Sequence, residues 1–270
     1  MRIGFVGVGR MGAPMVHRLV AAGHEVRALG RSGEARRRVT ALGAEPVSFT
    51  AAVGTGADAV VVCVFTDDQV RQVCLDTPLL TGMPSGSVLI VHTTGSPRTA
   101  EDIAAQAALR EIRVVDAPVS GGPPDIDAGT LTLFAGGTEE ALARARPVLR
   151  CYADPVLPVG PVGSGQRVKL VNNALFAAQL GLITEAVQLA TELGLDEATV
   201  LSALQHASGA SRAAASVAAK GSVAAFSASV GEFIRKDVAV VRMLAADLGA
   251  PMGALDTAID AQFLGSERRP

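Results

Sequence analysis

The chain is poor in aromatic residues and in cysteine. It has no tryptophan, a single tyrosine and three cysteines among 270 residues. No two of the cysteines, Cys63, Cys74 and Cys151, form a C-x-x-C pair. They indicate reduced, mostly buried thiols in a cytoplasmic protein. The four histidines show no metal-ligand spacing, so no metal site is expected.

Charge is scarce as well. Charged residues make up 19% of the chain, the net charge is -2, and no long basic or acidic run occurs. This argues against nucleic acid or an anionic membrane surface as the main partner. A basic leader followed by an apolar segment is absent from the N-terminus. The longest charge-free apolar stretch, residues 170–184, contains two asparagines and a glutamine, and we expect it to be too short and too polar to span a membrane.

A glycine-rich turn stands at the start of the chain, in the stretch GFVGVGRMG. Apolar residues 3–6 suit a buried strand, and a helical stretch follows from residue 13. Between them, Gly7, Gly9 and Gly12 have the G-x-G-x-x-G spacing of a dinucleotide site. The helix start offers free N–H groups to an anion. Glycine-rich turns are also common as plain structure, and the position after a strand is what favours a dinucleotide.

The first half of the chain alternates short strand-like runs with helical ones, which predicts a parallel sheet covered on both faces. Strands are expected at 2–6, 25–29, 59–64, 88–92, 113–115, 131–135 and 156–159, and helices at 12–22, 33–42, 68–75, 97–109 and 139–149. Beyond residue 163 only helical runs remain, at 164–193, 196–206 and 230–248. The prediction is an α/β protein, with an N-terminal Rossmann dinucleotide-binding domain at 1–162 followed by an all-helical C-terminal domain at 163–270.

The end of the second predicted strand bears on the choice of dinucleotide. A site that prefers NAD usually has a carboxylate there for the ribose 2′-hydroxyl, whereas this chain has Arg31 and Ser32. A guanidinium and a hydroxyl suit a 2′-phosphate, so NADP(H) is expected in preference to NAD(H). The alternative is that Arg31 belongs to a solvated basic patch with the arginines at 36–38.

Three further stretches carry polar chemistry. DAPVSGG, at 116–122, presents Ser120 and the N–H groups of Gly121 and Gly122, a nest suited to a carboxylate; a plain glycine turn is the alternative. Lys169 and Asn173 are one helical turn apart and share a face, although a single lysine is more often a solvated surface group. The third stretch is the pair Lys236-Asp237.

Together these motifs resemble the β-hydroxyacid dehydrogenases, the family of 3-hydroxyisobutyrate dehydrogenase and tartronate semialdehyde reductase. The matches are GFVGVGRMGAPM at 4–15, DAPVSGG at 116–122, GSG at 163–165 with KLVNN at 169–173, and the pair at 236–237. They cover nearly the whole chain in the right order. The resemblance implies an active site between the two domains and an oxidoreductase acting on short β-hydroxy acids or the matching semialdehydes.

The resemblance also implies roles for individual residues. Lys169 would be the general acid/base, Asn173 would orient substrate or lysine, and Ser120, Gly121 and Gly122 would hold the substrate carboxylate. The residues expected to contact the cofactor are Gly7, Val8, Gly9, Arg10, Met11, Gly12, Arg31, Ser32, Phe65, Thr94 and Lys236.

Two departures and two rival functions remain open. His92 stands where the family often has an acidic residue, and a structural role is favoured for it. The chain also ends early for the family, which would shorten the last helical segment. An imine reductase shares this architecture but generally lacks the lysine, and a non-catalytic dinucleotide-binding scaffold typically loses it too, so Lys169 favours a dehydrogenase. A homodimer or homotetramer is expected, and the substrate within the class is not determined.

Overall fold

The structure is a computed structural model that describes residues 1–264, with side chains through residue 261. Its contacts divide the chain into two compact units, Met1–Lys169 and the part from Leu170 onward. The predicted boundary between residues 162 and 163 remains a prediction. Residues 265–270 of the predicted second domain lie outside the described residues.

The first unit is built around one nine-stranded sheet. Its strands are β1 (Arg2–Val6), β2 (Glu25–Leu29), β3 (Glu45–Val47), β4 (Ala59–Val62), β5 (Val88–Val91), β6 (Arg113–Asp116), β7 (Val119–Ser120), β8 (Leu131–Gly136) and β9 (Ala153–Gly160). The order β3-β2-β1-β4-β5-β6 is parallel throughout, which is the Rossmann arrangement.

The expectation of a purely parallel sheet was wrong at one edge. Strand β8 pairs antiparallel with both β6 and β7, and β9 then pairs parallel with β8. The connection from β7 to β8, residues 121–130, is ten residues long and contains the short helix α7 (Pro123–Ala128). A connection of this length allows an antiparallel return, whereas a parallel pair needs a dozen or more residues.

The first unit has seven further helices: α1 (Gly12–Ala21), α2 (Gly33–Ala41), α3 (Thr50–Gly54), α4 (Asp67–Leu75), α5 (Leu79–Gly82), α6 (Pro97–Ala108) and α8 (Glu139–Leu149). Successive side chains of a strand point to opposite faces of a sheet. Accordingly Val61 and Ile90 belong to one buried cluster, and Val60 and Leu89 to another. Both faces of the sheet are therefore covered, as the sequence predicts.

Several short elements escaped sequence-based prediction. Strand β3 contains Pro46 and lies at the edge of the sheet, where a missing N–H costs no ladder bond. Strand β9 extends over eight residues, twice the predicted length. Helices α3, α5 and α7 were missed because four to six residues are too few for a periodic pattern.

In the second unit the described residues form helices only. They are the greater part of α9 (Ser164–Glu192), then α10 (Glu197–Leu204), α11 (Arg212–Lys220), α12 (Val223–Leu248) and α13 (Ala254–Leu264). Helix α12 begins seven residues before the predicted start because Ser222 caps it by accepting from the N–H of Ala225. The core of this unit includes Leu180, Val217 and Ile259.

Helix α9 is unusually long and apolar. Of the described helices, only this one is by itself long and apolar enough to cross a membrane, with a mean hydropathy of 1.3 over 18 residues. The bent pair α11 and α12 also has the length and composition of a span when the two helices are taken together. About 44% of the apolar segment of α9 is buried inside the protein. Core helices of soluble proteins commonly share this composition, so the finding is weak evidence for a membrane span.

Candidate active site

The three glycines of the first turn have three different surroundings. Gly7 has φ +102°, and a Cβ there would collide with the carbonyl of Cys63 at the end of the neighbouring strand. A Cβ on Gly12 would collide with the Gly7 carbonyl and the Phe5 ring. Gly9, in contrast, has nothing within 4 Å of the position a Cβ would take. Gly7 and Gly12 therefore let strand and helix approach each other, and Gly9 leaves open space for a ligand.

A cavity of about 290 Å³ adjoins this turn, at the point where strand order reverses between β1 and β4. Its lining includes Gly7, Val8, Arg31, Arg38, Gln69 and Gln72. Helix α1 starts beside it without a side-chain cap, and the positive end of its dipole favours an anion there. This combination fits the diphosphate and adenosine end of a dinucleotide.

The cavity brings together some of the predicted cofactor residues and not others. Arg31 lines it, whereas the Ser32 hydroxyl accepts from the N–H of Ala35 and caps α2. Arg38 and the α4 residues Gln69 and Gln72 were not predicted. Their signal in the sequence is weak, because a polar face on a helix is the ordinary pattern for a surface helix.

The loop that carries Thr94 is tied to the neighbouring loop after β4. The Thr93 hydroxyl accepts from the N–H of Val64 at 3.0 Å and donates to the Val64 carbonyl at 2.9 Å. Asp67, at the start of α4, accepts from the N–H of Ser96. These bonds fix the backbone on both sides of the half-buried Thr94.

Asp116, the first residue of the DAPVSGG motif, is fully buried. Its Oδ1 accepts from the N–H of Gly163 at 2.7 Å, and its Oδ2 accepts from the N–H of Gln166 at 2.8 Å. Burial raises its pKa to about 6, against the lowering effect of the two N–H donors. Asp116, at the end of β6, therefore caps α9. Gly163, the residue before the helix, has no side chain with which to do so.

Gln166 continues this connection. Its side chain is buried, accepts from the N–H of Gly95 at 2.9 Å and donates to the Thr93 carbonyl at 2.9 Å. The first turn of α9 is thus hydrogen-bonded both to DAPVSGG at 116–122, the predicted substrate motif, and to the Thr94 loop. Sequence reasoning missed Asp116 and Gln166 as site residues, because neither spacing nor residue type reveals such distant partners.

His92 has a structural place beside the same motif. Its Nδ1 lies 2.6 Å from the Ala117 carbonyl, and its Nε2 lies 2.8 Å from the Tyr152 hydroxyl. A neutral ring that donates through Nδ1 and accepts at Nε2 satisfies both contacts. Burial lowers the pKa of His92 to about 4. The ring therefore stays neutral at pH 7 and holds the backbone after Asp116.

The predicted substrate motif ends in a tight turn. Ser120 is half-buried in β7, and Gly121 is exposed with φ +131°. The N–H of Gly122 donates to Oδ2 of Asp125 at 2.7 Å, so the Asp125 carboxylate already occupies one donor of the predicted carboxylate nest. Asp125 belongs to the PPDIDAG stretch that follows the motif, where two aspartates could restrict which acid fits, but its contact with the Gly122 N–H was not predicted.

Lys169 is half-buried, in the second turn of α9 at the end of the first unit. It lies one turn beyond Gln166. The position of the Lys169 backbone therefore depends on the preceding turn of α9, which Asp116 and Gln166 hold in place.

The second unit contains a polar cluster around Asn173. The Asn173 Nδ2 donates to Asp237 at 2.5 Å, and Asn172 donates to the Asn173 Oδ1 at 3.1 Å. The other Asp237 oxygen lies 2.8 Å from the Lys236 ammonium. This cluster orients the Asn173 amide, and Asp237 is its centre. Asp237 was visible in the sequence as part of the motif at 236–237 but was given no role.

Two of the three cysteine thiols are shielded from ionisation. Burial raises the thiol pKa of Cys63 and of Cys74 to about 12, so neither is a reactive thiolate near neutrality. Within residues 1–264, no group of three or more histidine, cysteine, aspartate or glutamate residues is placed to hold a metal ion.

Comparison with known proteins assigns the chain to a family. Residues 2–160 match the NAD binding domain of 6-phosphogluconate dehydrogenase, and residues 163–263 match the NAD-binding domain of NADP-dependent 3-hydroxyisobutyrate dehydrogenase. The 3-hydroxyisobutyrate dehydrogenase of Pseudomonas aeruginosa is 34% identical over 208 residues, which cover 77% of this chain and 70% of that protein.

Solved structures agree with this assignment. A Mycobacterium tuberculosis 3-hydroxyisobutyrate dehydrogenase, determined with L-serine, has a TM-score of 0.86 at 30% identity and covers 99% of this chain and 94% of its own. Psf3, in complex with NADP+ and 2-OPP, has a TM-score of 0.80 at 25% identity, covering 97% of this chain and 93% of its own. The resemblance that the motifs suggested is confirmed: the chain belongs to the 3-hydroxyisobutyrate dehydrogenase family of NAD(P)-dependent hydroxyacid oxidoreductases.

Proposed function

We propose that the protein transfers a hydride between NADP(H) and a short β-hydroxy acid or the matching semialdehyde, with Lys169 as the general acid/base. One observation carries this proposal. The helix that bears Lys169 starts on Asp116 of the substrate motif, and its first turn also holds the Thr93–Gly95 backbone through Gln166. The lysine is therefore anchored to both the substrate motif and the candidate cofactor loop.

The substrate class follows from the donors at the motif turn. Ser120 offers a hydroxyl, and the exposed residue Gly121 offers its backbone N–H, to a carboxylate. The N–H of Gly122 completes this nest when Asp125 releases it. These donors recognise a carboxylate and do not distinguish among acids that share one. Candidates are 3-hydroxyisobutyrate, glyoxylate, succinic semialdehyde and tartronate semialdehyde, together with L-serine, with which the M. tuberculosis relative was determined.

The residues of this chain carry out the proton transfer of the reaction. The bound nicotinamide supplies the acceptor or donor of the hydride. In oxidation, neutral Lys169 takes the proton from the β-hydroxyl; in reduction, its ammonium form returns a proton to that oxygen. Asn173, with its amide oriented by Asp237 and Asn172, would orient the substrate oxygen or the lysine.

The preference for NADP(H) is supported by the cationic lining of the cavity. Arg31 and Arg38 both line it, and a guanidinium binds phosphate through paired N–H donors. Glu34 pairs with Arg38 at 3.5 Å in an exposed contact, so Arg31 is the freer candidate for the 2′-phosphate. Ser32, Phe65, Thr94 and Lys236 remain proposed cofactor contacts, as do Arg10 and Met11 of the glycine turn.

A homodimer is the proposed assembly, with a homotetramer as the alternative. It is supported by an exposed apolar stripe along α9, which we define as Val168, Val171, Leu175, Leu182 and Leu189, exposed by 36% to 69%. Their spacing of three, four and seven residues places them along one face of the helix. A row of this kind is unfavourable in water and suits a second copy.

The experiment that tests the function follows loss of nicotinamide absorbance with NADPH and each candidate semialdehyde or oxo acid; L-serine and 3-hydroxyisobutyrate are run in reverse with NADP+. We expect Lys169→Ala to lower turnover by about 10²- to 10⁴-fold, the usual contribution of general acid/base catalysis, and to leave NADPH binding nearly intact. Lys220→Ala, at the exposed end of α11, is the matched control.

Near-full activity of Lys169→Ala would contradict the proposed role of the lysine. NADPH oxidation with a cyclic imine, but with no oxo acid or semialdehyde, would favour an imine reductase instead. Binding of NADPH without turnover of any substrate would favour a non-catalytic scaffold.

A further inference from the structure

The buried start of α9 is a junction between two loops that the proposed reaction needs together. An isolated helix start would be capped by its own preceding residue, but that residue is Gly163, with φ +89° and no side chain. The cap comes instead from Asp116, 47 residues earlier in the chain. A capping residue next to the helix would stabilise α9 equally well without joining it to β6.

The backbone atoms around this helix start are too closely packed for a side chain at two positions. A Cβ on Gly165 would lie 2.7 Å from the Asp116 carbonyl oxygen, and a Cβ on Gly136 would lie 2.8 Å from the Pro161 carbonyl oxygen. Glycines at these two positions are what let the helix start lie directly on the ends of β6 and β8. Since real side chains avoid such distances, the first turn of α9 has essentially one position on the sheet.

Gln166 adds a second connection on the other side of the turn. Both polar ends of its amide are used, one by the Gly95 N–H and one by the Thr93 carbonyl. Its own backbone N–H is the donor that Asp116 accepts. A chain of hydrogen bonds thus runs from the substrate motif, through α9, to the loop of Thr94, and all of it is buried within the first unit.

We propose that Asp116 and Gln166 are positioning residues that hold Lys169 in a fixed place relative to the substrate motif and the Thr94 loop. Asp116 fixes where α9 begins relative to the end of β6. Gln166 fixes which side of the first turn faces the loop of Thr94. The role assigned to the lysine rests on the proposed function, whereas the positioning itself has readouts that do not depend on turnover.

The test compares Asp116→Asn and Gln166→Ala with the wild type, and Glu101→Gln is the matched control. Glu101 pairs with Arg167 in the same turn of α9, but at the surface, with its side chain 43% exposed. Exposed pairs contribute little, so Glu101→Gln separates loss of the buried connection from any change near that turn.

In the active enzyme we expect kcat to fall about 10- to 100-fold in both variants, as a displacement of about 1 Å does for a catalytic group. KM for the substrate should change less than threefold in Gln166→Ala, because that substitution leaves the substrate motif untouched. A merely structural role would lower the amount of folded enzyme without changing kcat per folded molecule. A kcat within twofold of wild type in both folded variants would overturn the proposal.

Two readouts work without any substrate. Amide hydrogen exchange of Gly163 and Gln166 should speed up at least tenfold in Asp116→Asn, and that of Gly95 in Gln166→Ala, with neither change in Glu101→Gln. Labelling of Lys169 by an amine-directed reagent, followed by mass spectrometry, should change at least threefold in both variants. Unchanged exchange and labelling would overturn the proposal even if turnover were lost. If the wild type reduces no substrate, the proposed function fails and these two readouts decide the positioning alone.

Discussion

At the scale of single residues, the candidate cofactor site depends on glycines, which have no side chain, and on the arginines that line the cavity. Gly7 and Gly12 allow the close approach of strand and helix, and Gly9 leaves the space above the turn open. The proposed preference for NADP(H) rests on the cationic lining. Arg31 is exposed and lines the cavity, and it stands where a carboxylate is usual in sites that prefer NAD.

The substitution Arg31→Ala should weaken NADPH binding and leave NADH binding nearly unchanged. A hydrogen bond to a charged group contributes about 1.5–3 kcal/mol, so the Kd for NADPH should rise roughly 10- to 100-fold. The measurement is titration of each cofactor by its own fluorescence, which the absence of tryptophan favours. Arg37→Ala, on the exposed face of α2, is the control. Equal binding of NADH and NADPH, unchanged by Arg31→Ala, would rule out the preference.

At the scale of elements, the paired strands β5 and β6 end in two buried ionisable groups with opposite effects. Val91 is the register partner of Asp116, so His92 follows directly beside the acid. Desolvation lowers the pKa of His92 from 6.5 to about 4 and raises that of Asp116 from 3.8 to about 6. Both groups are therefore held toward their neutral forms, as expected for burial between covered faces of a sheet.

These shifts predict opposite pH slopes of stability in two variants. Stability contributed by His92 is present above pH 6.5 and is lost as pH falls toward 4, because only the unfolded state takes up the proton. Stability linked to Asp116 is present below about pH 4 and is lost as pH rises toward 6, because the folded state keeps the proton longer. Each group contributes about 3 kcal/mol across its window, at about 1.4 kcal/mol per pKa unit.

Denaturant unfolding between pH 4 and 7 tests this pair. Relative to wild type, Asp116→Asn should gain stability as pH rises, because it lacks the loss that Asp116 causes over this range. His92→Asn should lose stability relative to wild type over the same range, because it lacks the gain that His92 causes. Slopes of the same sign in both variants would contradict the assigned pKa directions. Because the slopes are compared rather than the absolute stabilities, the cost of each substitution itself does not enter.

At the scale of the whole molecule, helix α9 supports the proposed assembly as well as the proposed site. Its first turn is held by Asp116 and Gln166, and part of its length is buried among the helices of the second unit. The stripe that includes Leu175 and Leu182 remains exposed, by 50% and 59%. Burying each leucine against a second copy would contribute up to about 1.5–3 kcal/mol.

The double substitution Leu175→Glu with Leu182→Glu should shift the protein toward monomer. Two charges in an apolar interface are costly to desolvate, so the dimer dissociation constant should rise by at least about 100-fold. Sedimentation equilibrium measures it directly. Leu109→Glu is the control, since that leucine is 79% exposed elsewhere on the surface. An unchanged oligomer in the double variant would place the interface on another surface.

Sequence reasoning identified those parts of the molecule that local pattern specifies. The glycine turn, the alternation of strands and helices, and the helical second unit follow from backbone freedom and hydrophobic period, which act between near neighbours. Lys169 and Asn173 could be placed on one helix because they lie four residues apart, whereas their catalytic roles remain predictions. The family was recognisable because four motifs occur in one order.

Tertiary structure decided everything that depends on partners far apart in the chain. Nothing in the sequence indicated that Asp116 caps α9 or that Asp125 accepts from the Gly122 N–H. Nor did it indicate that Asp237 orients Asn173. A hydrogen bond across 47 or 64 residues leaves no period and no spacing in the sequence. It arises only when the sheet brings strand ends and helix starts together. The sequence by itself therefore determined which chemical groups the protein carries, and the fold decided which of them hold one another in place.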